Sequence, residues 1–136
     1  MHPYHGFRCT GRTLGRTSEI LFSAIYRQNT SSKEYHLTLH LKDENGNKIF
    51  STGSWQTGDN KKKGKHFISV TFPSKFYNWG SFSIDLYIVE DCQKAIYVEN
   101  DIIGFTIVNT ASELGTWMGR EPGAIHPSFK WTNITE

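Results

Sequence analysis

Tyr35-His36-Leu37-Thr38-Leu39-His40-Leu41 is apolar at every odd position and polar at every even one. An extended strand turns successive side chains to opposite faces. The stretch therefore sends Tyr35, Leu37, Leu39 and Leu41 into a core and sets His36, Thr38 and His40 on a second, solvated face. The same period returns in Phe82-Ser83-Ile84-Asp85-Leu86-Tyr87-Ile88, where Phe82, Ile84, Leu86 and Ile88 point inward and Ser83, Asp85 and Tyr87 outward. Two such strands, if neighbours in one sheet, present a polar-aromatic platform rather than a catalytic cleft.

The pattern extends in both directions. Ile20, Phe22, Ala24 and Tyr26 alternate with Leu21, Ser23, Ile25 and Arg27, a strand with apolar character on both faces that belongs in the middle of its sheet. Asp43-Glu44-Asn45-Gly46-Asn47 carries an Asn-Gly pair between apolar alternations, the strongest short-range hairpin signal. Residues 53–65 are a polar excursion with one exposed-looking ring, Trp55. Ile68, Val70 and Phe72 then form an inward row stopped by Pro73. An aromatic corner at 76–80, with Trp79 as a packing residue, leads into the strand at 81–89. Residues 91–94 read as a turn, 97–101 as extended or irregular, and Ile103, Phe105 and Ile107 as the last clear strand. Beyond Asn109 the regular pattern dissolves into Gly115, Gly119, Pro122, Gly123 and Pro127, with Trp117, Ile125, Phe129 and Trp131 as apolar anchors.

Strands at 6–10, 19–27, 35–42, 48–52, 66–72, 81–89 and 102–108, with no convincing helix, make an all-β chain: an immunoglobulin-like antiparallel β-sandwich of about seven strands. In that order the segments at 35–42 and 81–89 lie side by side, about 4.8 Å apart. The chain reads as a single domain over 1–136. Residues 1–17 are an N-terminal arm or edge strand, 18–108 the sandwich core and 109–136 an irregular tail open to exchange in a dimer.

Composition excludes several classes. Fifteen Lys+Arg against thirteen Asp+Glu give a formal charge of +2, without the basic excess of nucleic-acid binders. The densest positive spot, Lys61-Lys62-Lys63-Gly64-Lys65, reads as a soluble hairpin tip. Contact with an anionic glycan, a phospholipid surface or an acidic patch is the alternative. Cys9 and Cys92 stand in no metal or redox spacing and read as free thiols of a reducing compartment, with a disulfide as the alternative. No apolar stretch reaches membrane-spanning length.

The sequence resembles the C-terminal carbohydrate-binding domain of the ATP-binding subunit, Wzt type, of bacterial O-antigen polysaccharide ABC transporters. The residues that carry the resemblance are the Asp43–Phe50 hairpin, the glycine-aromatic strand start Gly80-Ser81-Phe82-Ser83-Ile84, and Phe105-Thr106-Ile107 followed by Gly115 and Gly119. The closing run Gly123-Ala124-Ile125-His126-Pro127-Ser128-Phe129-Lys130-Trp131 completes it. It covers residues 18–131; the short segment before residue 17 and the Trp117-Met118 pair depart from the family pattern. The resemblance implies a cytoplasmic module, peripheral to the inner membrane through its transporter. Such a module captures a finished O-antigen glycan, often at its modified terminus. Its implied partners are the ATPase domain of the same transporter, the membrane subunit, and a second copy in a homodimer. It implies no catalytic residues and no cofactor.

Sugars offer apolar ring faces edged by hydroxyls, so their sites combine flat aromatics with short hydrogen-bonding groups on a rigid support. His36, Thr38, His40, Ser83, Asp85 and Tyr87 form that candidate platform, with Trp55 as a stacking wall and Trp117 as a further candidate ring. Alanine at His40, Asp85 or Tyr87 is expected to reduce glycan binding without lowering thermal stability. His36 and His40 lie about 13 Å apart along one strand, too far to share a metal ion. A hydrolase pairing Asp85 with His36 or His40 lacks a nucleophile elbow, paired carboxylates and a phosphate loop. The rival to sugar binding is an assembly module, in which the outward sheet and tail bind a protein or a second copy.

Overall fold

The computed structural model describes residues 8–9, 13–15, 19–58, 60–108, 122–127 and 129–135. Along the chain run β1 (Arg8–Cys9), β2 (Thr13–Gly15), β3 (Ile20–Gln28), β4 (Tyr35–Asp43), β5 (Lys48–Gly53), β6 (Gly64–Phe72), β7 (Gly80–Glu90) and β8 (Lys94–Val108). A turn of 3-10 helix, Ser54–Thr57, precedes β6. They form two sheets, one three-stranded in the order β1-β3-β6 and one five-stranded in the order β2-β8-β7-β4-β5. Every pairing is antiparallel except that of β2 with β8. This is the all-β, immunoglobulin-like sandwich that the alternation requires, with β3 between two partners and β4 beside β7.

The inward rows meet between the sheets. Ile20, Phe22, Ala24 and Tyr26 face Leu37, Leu39, Leu41, Ile84, Leu86 and Ile88, all at most 5% exposed. Phe82 and Phe105 stack at 5.4 Å between ring centroids, and Tyr77 meets both at an angle. Each fully buried Leu, Ile or Phe contributes about 1.5–3 kcal/mol by leaving water. Trp79 is partly buried against this cluster, the packing role expected of it.

Two turns join strands of the larger sheet. At the β4–β5 tip Gly46 N–H donates to Asp43 O at 3.1 Å and Gly46 takes a left-handed φ of 82°. The Asp43 carboxylate accepts the backbone N–H groups of Asn45 and Asn47 at 2.9 Å. This is a three-residue type I turn closed by a left-handed glycine, so the Asn-Gly pair marks the hairpin without forming a two-residue primed turn. At the β7–β8 tip, Asp91 and Cys92 both take left-handed φ values, 51° and 57°, and Gln93 N–H donates to Glu90 O at 3.0 Å. Cys92 is a free, exposed cysteine.

β8 is longer than its clearest alternation at 103–107, because it begins at Lys94 and takes in 97–101, of the two readings of that segment the extended one. A bulge interrupts it. Ile84 pairs with Ile103 and Leu86 with Glu99, so Asp85 alone stands opposite Asn100, Asp101 and Ile102. Asp101 takes a left-handed φ of 53° there. No alternation in the sequence marks the three-residue β2 either.

One end of the sandwich is held by a residue that nothing in the sequence singled out. Gln28 is 0% exposed, and its Nε2 donates to Thr30 O at 3.1 Å, Lys33 O at 3.3 Å and Asn60 O at 2.9 Å. It ties the β3–β4 connection to the β5–β6 connection. At the other end the segment 122–127 lies along the aromatic corner: Ile125 bridges Tyr77, Asn78 N–H donates to Ala124 O and His126 N–H to Phe76 O. Past it, Phe129, Trp131 and Ile134 are 75%, 91% and 83% exposed. Trp131, read as an anchor of the tail or of a dimer contact, is thus left exposed rather than packed on its own domain. Trp117 lies outside the described residues.

Candidate functional site

The outer face of the five-stranded sheet gathers the residues that the alternation selected. β4 and β7 pair without a shift from Tyr35↔Glu90 to Asp43↔Phe82, which sets Thr38 opposite Tyr87, His40 opposite Asp85 and Lys42 opposite Ser83. β5 and β8 flank this pair, so the backbone beneath it is paired on both sides. The His40 and Tyr87 rings touch diagonally, 4.5 Å between centroids and tilted by 43°.

Trp55 joins this face from the 3-10 turn. The turn is fixed by Leu37 N–H donating to Ser54 Oγ at 2.9 Å and by Asn60 Nδ2 donating to Trp55 O at 2.9 Å. Opposite Thr38 stands Gly53. A Cβ there would lie 3.1 Å from Trp55 Cδ1, 3.2 Å from Leu37 O and 3.3 Å from Thr38 Oγ1, so the absent side chain lets the indole come down beside Thr38. Trp55 remains 55% exposed.

The predicted set divides by accessibility. Thr38, His40, Ser83 and Tyr87 are half-buried and open to solvent on one side. His36 and Asp85, expected to be solvated, are only 6% and 3% exposed. His36 lies opposite Val89, at the end of β4 against which the 3-10 turn packs. Asp85 is occupied within the sheet: its Oδ1 accepts the Asp101 N–H at 2.8 Å and lies 3.0 Å from Lys42 Nζ. Lys42 also meets Asp101 Oδ1 at 2.7 Å. The carboxylate serves the bulge, so alanine at Asp85 should lower stability, contrary to the sequence expectation.

Three further residues belong to the face. Lys42 continues the even series 36, 38, 40, 42, and that periodicity could have found it. Ser51, exposed on β5, pairs with His40. Asp101 reaches the network through a bulge that no local signal announces.

The charges on this face are largely answered from within. Lys42 and Ser83 hold the Asp101 carboxyl below the usual aspartate range. Asp101 and Asp85 raise the Lys42 ammonium above its ordinary value. Burial lowers the pKa of His36, and burial together with Lys48 lowers that of His40. Both imidazoles are therefore neutral at pH 7, and a neutral imidazole has one nitrogen that donates and one that accepts. His40 Nδ1 is buried without a hydrogen-bond partner. The accessible chemistry is thus hydroxyls, a neutral imidazole, a phenol and an indole face, suited to exchanging hydrogen bonds with a polyhydroxylated ligand and stacking on its ring. Among the described residues no three His, Cys, Asp or Glu side chains gather as a metal site requires.

A separate groove of about 440 Å³ opens between the β5 and β6 edges of the sandwich, with Phe22, Leu37, Leu39, Ile68 and Val70 as its apolar lining and Thr52, Ser54, Ser69 and the Phe67 ring around them.

No protein-family model and no curated protein matches the chain. Among solved structures it is similar to the C-terminal domain of Wzt. The TM-score is 0.60 with 11% sequence identity, over 94% of this chain and 80% of that one. At this identity the likeness establishes a shared fold, and it extends over almost the whole chain. No helix among the described residues is long and apolar enough to cross a membrane.

Proposed function

We propose that the chain is a non-catalytic carbohydrate-binding module that recognises an O-antigen polysaccharide at its modified terminus, for export by an ABC transporter. The observation that carries this reading is the unshifted pairing of β4 with β7, which brings Thr38, His40, Ser83 and Tyr87 onto one rigid face with Trp55 beside them. The fold shared with the C-terminal domain of Wzt and the sequence motifs of that family support the same assignment. Trp55 and Tyr87 supply ring surfaces, and Thr38, His40, Ser83 and Ser51 exchange hydrogen bonds with hydroxyls. His36 and Asp85 position their neighbours from beneath. Trp117 is retained as a candidate stacking ring on sequence grounds. The module works in the cytoplasm beside the ATPase domain and membrane subunit of its transporter, as a homodimer.

The exposed apolar tail side chains Phe129, Trp131 and Ile134 favour a second reading, a protein-protein assembly module without sugar affinity. One pair of measurements separates the two. A glycan array carrying O-antigen polysaccharides should show binding that Trp55→Ala and Tyr87→Ala strongly weaken. No binding to any glycan, with self-association persisting in sedimentation, would establish the second reading instead.

A further inference from the structure

The opposite face of the sandwich has a different chemistry. On the outer side of the three-stranded sheet, β3 and β6 pair Leu21 with Thr71, Ser23 with Ser69, Ile25 with Phe67 and Arg27 with Lys65. Phe67 is 69% exposed and Leu21 41%, an uncommon degree for a phenyl ring on a sheet. None of the outward positions of β3 and β6 is acidic. Lys65 Nζ lies over the Phe67 ring at 5.3 Å, and the exposed Lys61, Lys62 and Lys63 lead directly into β6. Five of the fifteen Lys+Arg of a chain with net charge +2 therefore collect at one end of an apolar strip.

We infer that this face docks on the surface of an anionic phospholipid bilayer, with Phe67 inserted at the headgroup level and Arg27, Lys61, Lys62, Lys63 and Lys65 set against the lipid phosphates. Aromatic and aliphatic side chains flanked by cations are what an interfacial site requires. One inserted ring plus a polybasic cluster gives reversible attachment. Charge argues against a second copy as the occupant, because symmetric pairing would press the cationic β3 and β6 positions, none of them acidic, against themselves. Single-stranded nucleic acid would use stacked rings, and among its described residues this face has one ring with aliphatic neighbours. The docking face is separate from the proposed sugar platform, so the two readings stand or fall independently.

The test is cosedimentation of the 136-residue chain with vesicles of phosphatidylglycerol and phosphatidylcholine, beside vesicles of phosphatidylcholine alone. Binding is expected only to the anionic vesicles and should weaken at high salt. The Lys61→Glu/Lys62→Glu/Lys63→Glu variant should bind roughly a hundredfold more weakly. Phe67→Ser should bind roughly tenfold more weakly, with an unchanged melting curve in both cases. Equal binding to phosphatidylcholine, no binding to either vesicle, or undiminished binding by both variants would overturn the proposal. Tighter binding to a single-stranded oligonucleotide or to heparin than to anionic vesicles, indifferent to Phe67→Ser, would overturn it in favour of a soluble polyanion.

Discussion

The carboxylate of Asp85 in β7 accepts the backbone N–H of Asp101 in β8 at 2.8 Å and so holds the bulge that Asp101 enters with a left-handed φ. Removing it leaves that N–H without its acceptor and Lys42 with one carboxylate in place of two. Asp85→Ala should cost about 2–3 kcal/mol in urea denaturation. Asp85→Asn keeps an acceptor oxygen and should cost less. Equal stability of both variants and the parent protein would show that the bulge holds itself.

The two histidines of β4 give stability a distinct pH window. Burial lowers the folded-state pKa of each below the ordinary histidine value of 6.5. The unfolded chain therefore takes up protons first as the pH falls. Their contribution is complete above pH 6.5, declines as the pH drops from there towards the folded-state values, and is fully lost below them. Asp43, Glu90 and Asp101, whose pKa values are also lowered, act in a more acidic window, below 4.5. Denaturation midpoints between pH 7 and 5 should fall in the parent protein and flatten in His36→Gln/His40→Gln.

Gly53 admits the Trp55 indole to the platform, and its extended φ of −148° suits any residue, so the constraint there is purely one of space. Gly53→Ala should displace the indole, shift its N–H resonance and cost about 1 kcal/mol. Trp55→Ala removes an exposed side chain and should change stability by less than about 0.5 kcal/mol. It should weaken glycan binding by about 2 kcal/mol, roughly thirtyfold. If Gly53→Ala binds glycan as the parent does, Trp55 is not part of the site.

Gln28 is the donor for three carbonyl groups in a closed setting. Gln28→Ala should cost about 3 kcal/mol. Gln28→Glu offers oxygens where donors are required. It should be the worse variant at neutral pH and recover partly in acid, once its carboxyl can donate. Urea midpoints at the two pH values decide this.

Legibility from the sequence followed local periodicity. β4 and β7 declared their inward rows because each alternates without interruption, and β3 declared its central place because both of its faces are apolar. The adjacency of β4 and β7, and with it the platform, followed from strand order. The burial of Asp85 did not, because its partner N–H lies sixteen residues away across a bulge. Nor did the start of β8: Lys94–Glu99 is largely exposed, and a second shift between Ile88 and Val89 breaks the period there. His36, 6% exposed, shows the limit of alternation, since a strand pattern says which way a side chain points and nothing of what covers it there.

The bulge in β8 also governs how the chain's length can change. Three residues stand opposite one, an excess of two, so Tyr97 and Glu99 keep the same inward parity as Ile103 and Phe105. Losing a single residue from 100–102 would exchange the inner and outer rows of that part of the strand, whereas losing two would preserve them. Natural variation in this hairpin should therefore come in even steps, and an odd insertion would have to be corrected by a second one further along the strand.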